Sequence, residues 1–104
     1  MKQYIVDITE EALKDMDMLY DYIAVKLKAP ENATRQYDRI ASAILSLNEL
    51  PERYRVMDSE PQHSQELRMM PVDNYTVFYI IDEVKVKVTN VLYSASDINA
   101  RLRS

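Results

Sequence analysis

Two long stretches of helical periodicity are followed, after Leu50-Pro51, by short segments that alternate or run β-branched, and this order limits the possible folds. In residues 10–28 the apolar positions Ala12, Met16, Leu19, Ile23 and Leu27 repeat every three or four residues. Leu13 and Tyr20 widen the stripe, while Lys14, Asp15, Asp17 and Asp21 fall outside it. Thr9 stands where a helix N-cap belongs, and Glu10 and Glu11 suit the positive end of the helix dipole. A second helix begins around Pro30, which a first turn tolerates, and carries Ala33, Tyr37, Ile40, Ile44 and Leu47 on one face. It ends at Leu50-Pro51, because the residue before proline is pushed out of helical geometry. A short break between two long helices implies an antiparallel hairpin, with Leu19, Ile23, Ile40 and Ile44 in the core.

The remainder reads as strands. Residues 3–8 place Tyr4, Val6 and Ile8 on one face. Residues 53–57 suggest a short strand, 58–65 a polar loop, and 66–70 a strand ending at Pro71. Asp73-Asn74 is a turn signal, 75–81 is almost wholly β-branched or aromatic, and Asp82-Glu83 is another turn. Residues 84–88 alternate valine and lysine and run on to Tyr93; 96–103 would form a short C-terminal helix or a tail. The expected class is α+β, a single domain over 1–104. An N-terminal strand and a two-helix antiparallel hairpin would pack on an antiparallel sheet of about four strands. One sheet face would then stay open, presenting Val77 and Ile80 to a partner.

Composition narrows the chemistry. The chain has no glycine where average usage of about 7% gives roughly seven, so loops that cradle phosphate on bare backbone are excluded. It has no cysteine, hence no disulfide or thiolate metal site. The net charge is −4: 9 acids and 6 bases in residues 1–50, then 8 and 7 in residues 51–104. Unaided binding to nucleic acid is disfavoured by that balance, and sequence-specific DNA binding by this chain alone is not expected. No apolar run approaches the roughly 18 residues of a membrane span, no signal-peptide block follows Met1-Lys2-Gln3-Tyr4, and a cytoplasmic location is expected. Neither a metal motif nor a nucleophile–base motif is present, and no cofactor is expected.

Several stretches, in order, resemble one family. They are Ile8-Thr9-Glu10-Glu11-Ala12; Ile44 through Leu50-Pro51 with Arg53; Leu67-Arg68; Asn74-Tyr75-Thr76-Val77-Phe78-Tyr79 with Ile81-Asp82; and Val91-Leu92-Tyr93 followed by Asp97. With the order strand, helix hairpin, meander, the chain is similar to the RelE/ParE superfamily, the toxins of bacterial type II toxin–antitoxin pairs. That resemblance implies a cognate antitoxin that wraps the toxin with a helix and an extended segment. It also implies one of two activities, cleavage of mRNA on the ribosome or poisoning of DNA gyrase, which fold alone does not separate.

Cleavage through a 2′-hydroxyl needs a base, cations for the phosphorane-like charge, and an acid for the leaving oxygen. Arg68 matches the family's sheet arginine, and Tyr93 and His63 are the remaining candidates, with Arg53 and Arg55 as substitutes. The position after the last strand, basic in RelE-like ribonucleases, reads Tyr93-Ser94-Ala95-Ser96, and the loop before the sheet holds no lysine. Each candidate has a plainer role: Arg68 in an ion pair, His63 as a solvated loop residue, Tyr79 in the core, Lys85 and Lys87 on a wet strand face. The expectation is a gyrase poison acting by binding, with Arg101, Arg103 and the helix hairpin as contact elements. A ribosome-dependent ribonuclease and an inactive antitoxin-binding paralogue are the alternatives.

Overall fold

The computed structural model describes residues 2–57, 66–96 and 98–103. Strand β1 (Ile5–Ile8) leads at Thr9 into helix α1 (Glu10–Asp21), and helix α2 spans Pro30–Leu45. Strands β2 (Arg68–Val72), β3 (Tyr75–Asp82) and β4 (Lys85–Tyr93) follow, then a short helix α3 (Ile98–Arg103). The sheet order is β1-β4-β3-β2, the last three antiparallel and β1 parallel to β4. The chain is therefore α+β as expected, with a mixed sheet. Two-residue hairpin loops link β2 to β3 and β3 to β4, which forces antiparallel pairing; β1 is separated from β4 by both helices and the other two strands and is free to lie parallel.

Thr9 fastens the first crossover. Its hydroxyl accepts from the Ala12 N–H at 3.2 Å as a cap and donates to the Val88 carbonyl at 2.8 Å. The first helix does not run straight to residue 28. From Tyr22 to Lys26 it widens into a π-helical turn, closed by the Leu27 N–H donating to the Tyr22 carbonyl. A stripe that repeats every four residues drifts about 40° per step around a helix of 3.6 residues per turn, and the wide turn absorbs the surplus residue. Leu19 is buried and Ile23 half-buried, but Leu27, expected in the stripe, is exposed.

The core lies between the hairpin and one sheet face: Ala12, Met16 and Leu19 of α1, Ile40, Ile44 and Leu47 of and after α2, then Met70, Val77, Tyr79, Val86, Val88 and Val91. A bulge at Thr89, where Phe78 pairs with Asn90 and Tyr79 with Val88, resets the alternation so that Val86, Val88 and Val91 share that face. The opposite face of the central strands is not bare either, since Phe78 and Leu92 are buried.

Pro71 lies inside β2 instead of ending it. That strand is an edge, where the missing N–H costs no ladder bond. Residues 53–57, expected as a short strand, form only one isolated bridge, Val56 to Arg68, after a 3-10 turn at Pro51–Arg53. Without glycine, left-handed backbone falls on Lys28, Leu50, Asp73 and Glu83, at about 1–2 kcal/mol each for residues with a Cβ. Asp73 and Glu83 are the first residues of the two hairpin loops.

Candidate functional site

Arg68 begins β2 opposite Tyr79, on the helix-covered face. Its guanidinium donates to the Glu52 carbonyl at 3.1 Å and the Tyr54 carbonyl at 2.8 Å, and lies 3.8 Å from the Glu66 carboxylate. Beside it the Tyr79 hydroxyl donates to the Pro51 carbonyl at 2.6 Å, and burial pushes that phenol up to about 12, so it stays protonated near neutrality. Together the two side chains pin the 51–54 turn to the sheet. Arg53 is engaged as well, on the Glu49 and Leu50 carbonyls and the Ser46 hydroxyl, with its guanidinium over the Tyr54 ring.

Tyr93 ends β4 opposite Tyr75, its ring edge-on to the Tyr75 ring with centroids 5.8 Å apart. Arg68 pairs with Tyr79 and Tyr93 with Tyr75; four residues of strand, about 13 Å, separate the two positions along β3. These two candidates are therefore not brought together. His63 and the side chain of Arg103 lie outside the described residues. The Arg68→Ala variant is expected to lose about 1–3 kcal/mol, because two carbonyls lose their donor. Urea denaturation reads this, and an unchanged midpoint would mean that the two carbonyl bonds do not hold the 51–54 turn.

The expected partner face needs correction. Val77 points into the helix-covered core and is fully buried, whereas Ile80, three residues along the strand, lies on the opposite face and is only half-buried. The large concavity is elsewhere. A groove of about 980 Å³ opens between α1 with its π turn, the start of α2, the β2–β3 loop and the ends of β3 and β4. Leu19, Ile23, Tyr75 and Val91 line it, and Met18, Tyr22, Leu27 and Tyr93, each 51–59% exposed, form its apolar mouth. The π turn brings Leu27 to this mouth.

Charges ring the groove in a defined state. Arg39 grips Asp73 with two bonds, 2.7 and 2.8 Å, and Gln36 adds a third at 3.0 Å. The Arg39 bond, then that from Gln36, hold the Asp73 carboxyl at about 2. Asp15 of α1 accepts from the Val91 N–H at 2.9 Å and from Asn90 Nδ2 at 3.4 Å. Burial raises its carboxyl above the ordinary value, against the pull of those two donors and of Arg101 on α3. Arg35, hydrogen-bonded to Asn32, and Arg101 complete the basic part of the lining.

No nucleophile–base pair lies in this lining, and among the described residues no group of three His, Asp or Glu side chains could hold a metal ion. The groove presents apolar side chains at its centre and mouth and guanidinium groups on its rim. Sequence reasoning missed Tyr22, Arg39, Asp73 and Asp15. The one available signal was the excess width of the first apolar stripe, with Met18 and Tyr22 beside it. No helix among the described residues is long and apolar enough to cross a membrane.

A family model described as the ParE toxin of the type II toxin–antitoxin system parDE matches residues 6–98. No curated protein sequence shows a significant match. Among solved structures, the chain is similar to one from the chromosomal ParDE toxin–antitoxin system of P. aeruginosa. The TM-score is 0.73 at 17% identity, over 88% of this chain and 96% of that one. It is similar also to a chain of the RelBE2 toxin–antitoxin complex of Mycobacterium tuberculosis, with TM-score 0.60 and 19% identity over 92% and 97%. A third is a chain of the archaeal RelE–RelB complex of Pyrococcus horikoshii OT3, with TM-score 0.60 and 18% identity over 89% and 97%. At identities this low the likeness shows a shared fold and nothing more.

Proposed function

The chain belongs to the ParE toxin family of type II toxin–antitoxin systems, and from that membership we propose that it is a toxin acting by binding, with DNA gyrase as its target and the groove as the seat of its antitoxin. The observation that carries this reading is the separation of two of the ribonuclease candidates, Arg68 and Tyr93. Arg68 is spent on two backbone carbonyls, and Tyr93 stands at the other end of the sheet. A phosphorane-like transition state needs cations and a proton donor converging on one point, and that pair does not converge. The net charge of −4 also fits a protein target better than unaided capture of RNA.

The antitoxin is the partner the groove fits. Its lining is apolar at the centre, and a helix laying one apolar face there is a recurrent mode of peptide recognition. Arg35 and Arg101 favour carboxylates flanking that face. The whole of 1–104 acts as one toxin domain, in the cytoplasm.

Two assays on purified protein test the target. Added to gyrase, it is expected to inhibit supercoiling or trap the cleavage complex; added to programmed ribosomes, it is expected to leave mRNA intact. Site-specific cleavage in the ribosomal A site would replace this reading with the ribonuclease. Inactivity in both assays, with antitoxin binding intact, would leave an antitoxin-binding paralogue.

A further inference from the structure

β1 stops at Ile8, opposite Val88, where the chain turns into α1; β4 runs on to Tyr93. Among the described residues, no strand lies beside the far half of β4 on that edge. Beyond the Thr89 bulge, Val91 pairs with Val77 and Tyr93 with Tyr75. Bonding to β3 alternates along an antiparallel ladder. The Ser94 N–H goes to the Asn74 carbonyl on the β3 side, at 2.8 Å, so Val91 and Tyr93 turn their N–H and C=O outward.

Such an edge is a template for another chain. Two copies meeting about a two-fold axis would lie antiparallel, and two-point antiparallel pairing uses both the N–H and the C=O of one residue. Here one group of each outward residue is already taken. Asp15 accepts the Val91 N–H at 2.9 Å. Ser96 covers the Tyr93 carbonyl, with its N–H at 3.0 Å and its hydroxyl at 2.6 Å. We propose that Asp15 and Ser96 guard the open edge of β4, preventing a second copy of this chain from pairing with it.

The carboxylate deters in two ways. It occupies the donor an incoming carbonyl would need, and an approaching strand would strip its remaining water, leaving a charge without solvent. Burial already raises that carboxyl above its ordinary value, despite the Val91 and Asn90 hydrogen bonds and the charge of Arg101, and an approaching strand would add to that desolvation. What the guard leaves open is the groove itself, of which Asp15, Val91, Tyr93 and Ser96 are part.

Sedimentation velocity on the full chain tests this. The wild type is expected to run as a monomer of 12.2 kDa at every concentration, and the variant carrying Asp15→Ala and Ser96→Ala to shift toward twice that mass as concentration rises. Asp15→Asn keeps an oxygen that can accept the Val91 bond and is expected to stay monomeric. A double variant that remains monomeric overturns the proposal, as does an Asn variant that associates like the double one. Should the double variant fail to fold, hydrogen exchange on the wild type decides. The Val91 amide is expected to be protected although no strand among the described residues covers it, and exchange at the rate of an unstructured peptide overturns the guard.

Discussion

Ile40→Ala is expected to destabilise the chain by about 2–5 kcal/mol. Ile40 is fully buried, at the centre of the face that α2 turns to the sheet, with Ile44 one turn on and Leu47 beyond it. Removing its outer carbons forfeits their transfer energy and leaves a hole between elements fixed from both sides. Thr9 ties the start of α1 to β4, and the Arg39–Asp73 clasp ties α2 to the β2–β3 loop, so the helices cannot easily settle into the gap. Domains of this size are stable by about 5–15 kcal/mol, and the loss is a large share of that. Chemical denaturation should show a lowered midpoint with an unchanged slope. An unchanged midpoint would mean that this face of α2 is not the core.

The sequence disclosed the helices because their information is local. The Thr9 cap and the stripe from Ala33 to Leu47 rest on neighbouring residues and are present in the structure, although α2 stops at Leu45 and only a 3-10 turn, Ser46–Asn48, carries the chain towards Pro51. Pairing is not local in that sense. The period-two pattern of residues 3–8 is the same whether its neighbour runs parallel or antiparallel, so the parallel β1–β4 register had no signature. The faces of β3 were hidden for a different reason. Val77 and Phe78 are both fully buried, on opposite sides, and a strand covered on both faces shows no polar alternation to orient it. Grouping Val77 with Ile80 also overlooked that residues three apart on a strand lie on opposite faces.

The groove was less legible than the fold. Arg39 and Asp73 are 34 positions apart, and each looks like an ordinary surface charge until the β2–β3 loop is brought onto α2. Asp15, read as part of the wet face of a helix, turns out to bond a strand edge. Leu27 reached the groove mouth through a π turn, which a count of three- and four-residue steps does not reveal.

The groove assignment predicts that Leu27→Asp, combined with Tyr22→Ala, will weaken the complex with the cognate antitoxin on the order of a hundredfold. Truncating an aromatic anchor inside an interface typically costs about 2 kcal/mol or more, roughly thirtyfold. A carboxylate placed where the partner's apolar face must seat adds a desolvation cost. Both residues are more than half exposed in the free chain, Tyr22 at 53% and Leu27 at 56%, so their replacement should leave the fold intact. Val25 is the control. It lies on the same π turn, is 69% exposed, and does not line the groove, so Val25→Asp should bind as the wild type does. Calorimetric titration of the purified pair separates the cases. Equal losses for the Val25 and the Tyr22/Leu27 variants would point to a general effect of charge on the turn. Undiminished binding by the Tyr22/Leu27 variant would move the antitoxin to another surface, with the half-buried Ile80 side of the sheet the next to examine.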